Sequence, residues 1–269
     1  MSIEDVAAGC ETVTATVGDR IQHVATIKLC RPDARNALNV QLRTELKDVL
    51  DAVKESDVRV VVLTGAEDTG AFVAGADVNE LRDRDMLAQR EASKRPRVYE
   101  RVDDCPIPVI ARINGHALGG GCELIQACDV RIAHERAKIG QPEINLGIMP
   151  GGGGTQRLPR LVGEGHAMRL ILSGELIDAE EAADIGLVDE VHDDDGFDES
   201  VYDLAESMAA KSPVALEFAK KSVKAASRMD LEAGIEYEAE LFSQLFGTGE
   251  KNEGIDAFLE DRDPEWNSE

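Results

Sequence analysis

Two glutamates stand in unusual surroundings for charged residues. Glu123 lies in Gly119-Gly-Gly-Cys-Glu-Leu, just after a glycine-lined helix start, and Glu143 lies in Gly140-Gln-Pro-Glu-Ile-Asn-Leu-Gly. A helix that starts with small residues leaves backbone N–H groups free and lets a ligand approach closely. Such donors can hold a developing oxyanion. A polarised carbonyl beside two carboxylates would suit enolate chemistry or the addition of water to a conjugated double bond.

Each glutamate alone also has an ordinary explanation. An acidic residue in the first turn of a helix is favoured by the helix dipole, by about 0.3–1 kcal/mol, which would account for Glu123. Glu143 could be a simple loop carboxylate. The combination of both carboxylates with the neighbouring glycines is what favours a site.

Other glycine and histidine patterns do not match known sites. Gly154 is followed by Thr155-Gln-Arg, where a Walker loop requires Lys and then Ser or Thr. Neither glycine run has the third glycine of a dinucleotide fingerprint, and no GxSxG elbow is present. The five histidines are scattered without a cysteine cluster, so we expect no metal site.

The composition is strongly acidic. The chain has 269 residues, with 53 acidic and 29 basic side chains and a formal net charge of −24. This charge argues against nucleic acid or an anionic membrane as partner, and an aromatic content of 4% argues against a base-stacking surface. Lysine is scarcer than arginine. The composition thus resembles that of halophile proteins, with an ordinary acidic cytosolic enzyme as the alternative.

Cysteine usage and hydropathy bear on the location of the protein. The five cysteines include no CxxC pair, which favours free thiols in a reducing compartment. No run of about 18 apolar residues occurs. The N-terminal segment MSIEDVAAGCETV is acidic where a signal peptide would be basic. We therefore expect a cytoplasmic protein with no membrane partner.

Strands and helices alternate over residues 1–196, the pattern of an α/β domain. The hydrophobic pattern predicts strands over 12–17, 21–29, 58–63, 109–113, 130–133 and 187–191, and helices over 42–53, 78–104, 119–127 and 166–172. A short segment around 155–161 follows the second glycine run. Asp178 and Glu181 predict a helix start, and Gly186 suits the end of that helix. Residues 65–75 are expected to form a loop.

The character of the sequence changes after residue 196. Only helical patterns follow, over 197–211, 213–227, 230–246 and 251–260, with Pro213 at a first-turn position. We therefore predict two parts: a core at 1–196 that contains the active site, and a helical region at 197–269.

Four ordered motifs identify a resemblance to a known family. The chain resembles the crotonase superfamily, and within it the enoyl-CoA hydratases, over essentially its whole length from about residue 12. The motifs are Arg31-Pro-Asp-Ala-Arg-Asn-Ala-Leu-Asn, Gly70-Ala-Phe-Val-Ala-Gly-Ala-Asp-Val, Asn114-Gly-His-Ala-Leu-Gly-Gly-Gly-Cys-Glu-Leu and Gly140-Gln-Pro-Glu-Ile-Asn-Leu-Gly-Ile-Met-Pro-Gly-Gly-Gly-Gly-Thr-Gln-Arg-Leu.

This resemblance implies a spiral of ββα units followed by a C-terminal helical region that mediates trimer contacts, with trimers often paired into hexamers. It implies an acyl-CoA thioester as the substrate and no separate cofactor. The activity implied is the reversible addition of water to a trans-2-enoyl-CoA, giving a 3-hydroxyacyl-CoA.

The resemblance also assigns roles to residues. Glu123 and Glu143 would hold one water between them; Glu123 would direct its oxygen to the β-carbon and Glu143 would deliver a proton to the α-carbon. The thioester oxygen would accept from the backbone N–H groups of Ala76 and Gly120. The adenine would lie beside residues 72–77, and Met149 near the acyl path. The substrate contacts would include Arg35, Ala37, Ala74, Asp77 and Gly151.

Several alternatives remain open at this point. One is an isomerase of the same superfamily, or a dehydratase that acts on a short 3-hydroxyacyl-CoA. Another is a non-catalytic relative that binds acyl-CoA or RNA. The presence of both Glu123 and Glu143 favours water addition, and the net charge opposes RNA binding. The tail segment around Arg262 lacks the lysines common in the family, so Arg35 becomes the expected contact for a CoA phosphate.

Overall fold

Ten short strands form two β-sheets in the computed structural model, which describes residues 2–266. The strands are β1 (Val13–Val17), β2 (Val24–Leu29), β3 (Val60–Gly65), β4 (Ala71–Val73), β5 (Val109–Ile113), β6 (His116–Leu118), β7 (Val130–His134), β8 (Lys138–Gly140), β9 (Leu176–Asp178) and β10 (Glu190–His192). The larger sheet has the order β1-β2-β3-β5-β7-β10, and the smaller sheet has the order β4-β6-β8-β9.

The chain passes from one sheet to the other in each repeat of the fold. Strand β3 of the larger sheet is followed by β4 of the smaller one, β5 by β6, and β7 by β8, with a helical segment before the next pair. Neighbouring strands of successive repeats pair in parallel in both sheets. This arrangement is a spiral of ββα units, which confirms the predicted fold class.

Helices connect and cover these strands. They are α1 (Ile3–Ala8), α2 (Val40–Val53), α3 (Val78–Arg82), α4 (Met86–Ala92), α5 (Val98–Asp103), α6 (Gly120–Ile125), α7 (Gly154–Ser173), α8 (Ala179–Asp184), α9 (Phe197–Ala209), α10 (Pro213–Ala225), α11 (Leu231–Leu245) and α12 (Gly249–Glu260). The Asp178 side chain caps α8, and Pro213 occupies the first turn of α10, as predicted.

The differences from the predicted elements have physical reasons. Strands β4, β6, β8 and β9 have three residues each, too few for a two-residue alternation to register. The predicted helix at 78–104 is three helices, because Asp85 caps a new start at α4 and Pro96 interrupts the chain before α5. The last strand covers 190–192 and not 187–191. Helix α7 extends the helix predicted at 166–172 back to Gly154, and its regular geometry breaks at Gly163.

The larger sheet buries side chains on both faces. In β3, Val61 and Leu63 belong to the main core between the two sheets, while Val60 and Val62 pack on the other face against α9. Full burial of such a side chain contributes about 1.5–3 kcal/mol. Because β3 and β5 are fixed from both sides, the loops after them have a rigid base.

The C-terminal helices differ in their relation to this core. Phe197 and Val201 of α9 are buried against the sheet, whereas most of the side chains of α10 to α12 are partly or fully exposed. The boundary proposed at residue 196 stays a prediction. None of the helices within residues 2–266 has the length and apolar character needed to cross a membrane.

Candidate active site

A cavity of about 840 Å3 lies where α6, the turn around Glu143 and the glycine loop before α7 meet. Its walls include Glu123 and Glu143 together with Ala76 and Gly120. The first and the last of these four residues in the sequence, Ala76 and Glu143, are more than 60 positions apart, and the fold brings them into one cavity. A larger cleft of about 1220 Å3 lies beside α10, but its lysine side chains Lys220 and Lys224 are paired with aspartates.

Glu123 is the fourth residue of α6 and is only 3% exposed. Its Oε1 accepts hydrogen bonds from the backbone N–H groups of Gly152 (2.6 Å) and Gly154 (2.8 Å). Burial raises the pKa of Glu123, and these two N–H groups oppose that rise. Within the described chain Oε2 has no protein donor, so this oxygen remains able to bind a water or substrate.

Glu143 faces the same cavity from a short 3₁₀ turn over Pro142–Leu146. A methyl group placed on Gly119 would lie 3.0 Å from its Oε1, so the carboxylate lies directly against the start of α6. Burial raises the pKa of Glu143 to about 7, and the charge of Glu123 adds to the rise. Glu143 can therefore exchange a proton near neutral pH.

Two buried amides support Glu143 from behind. Gln141 is fully buried, and with its amide nitrogen turned toward Glu143 it donates to both carboxylate oxygens, at 3.1 and 3.0 Å. The opposite orientation would set an amide oxygen against the carboxylate. In this orientation the Gln141 oxygen accepts from Nε2 of Gln126 at 3.0 Å. Gln126 thereby fixes the orientation of the Gln141 amide, which in turn positions the Glu143 carboxylate.

The backbone N–H groups of Ala76 and Gly120 border one small space. A methyl group on Gly120 would lie 3.5 Å from the Ala76 nitrogen. Gly120 is the first residue of α6, so its N–H has no partner within the helix. Neither N–H donates to another protein group in the part of the chain described by the structure. Two such donors can hold a developing oxyanion.

The other predicted contacts divide into two groups. Ala74 and Gly151 line the cavity. Arg35, Ala37 and Asp77 do not line it in the described structure. They lie on the adjoining turn, where the N–H of Ala74 donates to the carbonyl of Arg35 at 3.1 Å. The Asp77 side chain caps α3 and pairs with Arg31 at 3.1 Å, so its carboxylate serves local structure.

Two residues that line the cavity were not predicted from the sequence. Tyr99 and Arg97 both line the cavity, and the Arg97 guanidinium lies 5.7 Å from the centre of the Tyr99 ring. Both belong to a charged stretch whose periodicity indicates only a surface helix. The role of Gln141 was also missed, although it stands two positions before Glu143 in the fourth motif.

The arrangement combines two chemical functions, proton transfer and polarisation of a carbonyl. Glu123 and Glu143 are two carboxylates in one cavity with raised pKa values, and such a pair can give and accept protons. Beside them are two unpaired backbone N–H donors. Together these groups can polarise a carbonyl and move protons at the carbon atoms next to it.

A family model described as enoyl-CoA hydratase/isomerase matches residues 19–269. The chain is 44% identical to 2,3-dehydroadipyl-CoA hydratase of Escherichia coli over 248 residues, which covers 92% of this chain and 96% of that protein. It is 39% identical to short-chain-enoyl-CoA hydratase of Clostridium acetobutylicum over 241 residues, 89% of this chain and 92% of that protein.

The fold is also similar to solved structures. The enoyl-CoA hydratase from Bacillus anthracis superposes with a TM-score of 0.90 and is 40% identical, with 96% of this chain and 100% of that chain covered. The enoyl-CoA hydratase from Thermoplasma volcanium has a TM-score of 0.84 at 34% identity, with 95% and 99% covered.

Proposed function

The chain belongs to the enoyl-CoA hydratase/isomerase family and is a hydratase, and we propose that its Glu123 and Glu143 catalyse the addition of water to a trans-2-enoyl-CoA. The observation that carries this proposal is the placement of two carboxylates in one cavity, beside the free N–H groups of Ala76 and Gly120. A hydratase needs a base for the water, an acid for the α-carbon and a site for negative charge.

The proposed reaction uses each of these groups once. Glu123 takes a proton from the water, whose oxygen forms a bond to the β-carbon. The electron pair of the double bond moves toward the thioester oxygen, which accepts from the N–H groups of Ala76 and Gly120. Glu143 then gives its proton to the α-carbon, and the carbonyl re-forms. The pair carries one proton before and after the reaction, so the same residues also serve the reverse direction.

The substrate carries its own activating group. The thioester supplies the carbonyl that polarises the double bond, and both proton carriers are side chains. We therefore propose that the reaction needs no cofactor beyond the CoA of the substrate. Met149 lies in the cavity wall, which supports its proposed place near the acyl path.

Glu123→Gln and Glu143→Gln should each lower kcat for the hydration of crotonyl-CoA by about 10²–10⁴-fold, because each variant removes a group that transfers a proton. The rate is measured from the loss of absorbance of the conjugated thioester. Circular dichroism should show the same fold in both variants, since glutamine keeps the size of the side chain.

The matched control is Glu135→Gln. Glu135 is exposed on the turn between β7 and β8 and lies outside the cavity wall, so this variant should keep the wild-type rate. A wild-type rate in either Glu123→Gln or Glu143→Gln would rule out the assigned roles. If the wild-type protein did not hydrate any trans-2-enoyl-CoA, the proposed function itself would be wrong.

We also propose that the chain assembles into homotrimers, alone or paired as hexamers. Large apolar side chains on the C-terminal helices are exposed to a degree unusual for a monomer, and they include Val223, Leu231, Phe242, Phe258 and Leu259. Sedimentation equilibrium should give three or six times the chain mass of 29.1 kDa. A mass of 29.1 kDa at working concentrations would contradict this assembly.

We propose further that the enzyme works in the cytoplasm of a salt-accumulating cell. All five cysteines are free thiols, which suits a reducing compartment. The net charge of −24 should repel a polyanionic CoA substrate at low salt. Arg262 pairs with Glu253 and Glu260, while the exposed Arg35 has no ion pair within residues 2–266, so Arg35 is the proposed phosphate contact.

The screening of charges by salt tests the proposed repulsion between the protein and its CoA substrate. Molar salt shortens the Debye length to about 3 Å, so KM for crotonyl-CoA should fall severalfold as KCl rises to about 1 M. Crotonyl-pantetheine, which has no phosphates, is the matched control and should show a much weaker dependence. A KM for crotonyl-CoA that is flat or rises with KCl, measured on folded enzyme, would contradict the proposal.

A further inference from the structure

Tyr99 is a largely buried residue in the wall of the cavity. It is the second residue of α5, and its side chain is 7% exposed. Buried tyrosine hydroxyls usually form a hydrogen bond. In the described part of the chain, however, the Tyr99 hydroxyl forms no hydrogen bond with a protein group, although the side chain lines the cavity of the two glutamates.

The hydroxyl lies beside the space bordered by the N–H groups of Ala76 and Gly120. A methyl group placed on Gly120 would lie 3.0 Å from the Tyr99 hydroxyl oxygen and 3.5 Å from the Ala76 nitrogen. The Tyr99 hydroxyl oxygen and the Ala76 nitrogen are therefore close neighbours at the start of α6. Because residue 120 is glycine, no side chain fills the space beside these two groups, and a ligand atom can approach them.

The tyrosine ring lies against the catalytic carboxylate. A methyl group on Gly152 would lie 2.4 Å from both Cε2 of Tyr99 and Oε2 of Glu123. Burial raises the pKa of Tyr99 well above its usual range, and the charge of Glu123 adds to the rise. The phenol therefore keeps its proton and acts as a donor, and it has no hydrogen bond to Glu123 that would occupy it.

We propose that the Tyr99 hydroxyl donates a third hydrogen bond to the thioester oxygen of the substrate, beside the N–H groups of Ala76 and Gly120. This inference rests on the proposed hydration reaction. Negative charge grows on the thioester oxygen while water adds to the β-carbon, and a fixed phenol strengthens its bond as that charge grows. Tyr99 transfers no proton; the charge disappears when Glu143 protonates the α-carbon.

Tyr99→Phe removes the donor and keeps the ring that packs beside Glu123. We expect kcat for crotonyl-CoA hydration to fall about 10²-fold, as for the loss of one oxyanion-hole donor elsewhere, with KM changed much less. The control is Tyr202→Phe, because the Tyr202 hydroxyl contacts Thr26 (3.3 Å) on the α9 face of the sheet, away from the cavity. This control should keep the wild-type kcat.

A second measurement separates a direct bond from a packing role. The infrared C=O stretch of bound 3-hydroxybutyryl-CoA, labelled with 13C at the thioester carbon, should move to higher frequency in Tyr99→Phe, because one hydrogen bond to that oxygen is lost. An unchanged frequency, or an unchanged kcat, would overturn the inference. A wild-type enzyme that hydrates no enoyl-CoA would instead overturn the proposed function, so the two failures are distinguishable.

Discussion

Two backbone hydrogen bonds, from Gly152 and Gly154 to one oxygen of Glu123, hold the site together. An isolated carboxylate at 3% exposure would be very costly to ionise. The two N–H groups offset part of this cost and fix the rotation of the carboxyl group. They also tie the start of α7 to α6, so the loop that closes the cavity is fixed by the same residue that is proposed to act on water. The absence of side chains at these glycines allows this close approach.

The two carboxylates differ in their surroundings, and this difference separates their proposed roles. Glu123 has fixed backbone donors on one oxygen, which favour its ionised form. Glu143 has the amide of Gln141 behind it and the charge of Glu123 in front, and burial raises its pKa to about 7. The groups that surround them are held by strands β4, β6 and β8, which lie in one small sheet. Because Ala76 follows β4, Gly120 and Glu123 follow β6, and Glu143 follows β8, pairing within this sheet fixes the glutamates relative to the N–H donors.

The sequence alone predicted those parts of the molecule that carry a local signal. Continuous apolar runs such as 109–113 mark buried strands, and the glycines before Glu123 mark a close approach at a helix start. The three-residue strands carry no such signal, because their pairing is set by the larger sheet above them. Tyr99 was missed for a related reason: it lies in a charged stretch, and only the packing of α5 against α6 directs its ring into the cavity. Long-range contacts of this kind cannot be recognised from the hydrophobic periodicity of the sequence.

The negative charge of the protein and that of the CoA substrate repel each other. A charge of −24 repels a polyanion, yet the cavity itself has Arg43, Arg84 and Arg97 in its walls. Arg43 and Arg84 are both paired with Glu80, so their positive charge is partly used within the protein. Local pairing therefore leaves these arginines little free positive charge with which to oppose the repulsion from the net charge.

The pH dependence of kcat/KM for crotonyl-CoA hydration tests most directly whether Glu123 and Glu143 work with one shared proton. If they do, the pH profile of kcat/KM will be bell-shaped. On the alkaline side kcat/KM will fall above a pKa of about 7 with the loss of one proton, that of Glu143, and on the acid side it will fall when the pair binds a second proton. A value of kcat/KM that stays constant or rises from about pH 7 to about pH 9 would show that the reaction proceeds with both carboxylates ionised, and would contradict this mechanism.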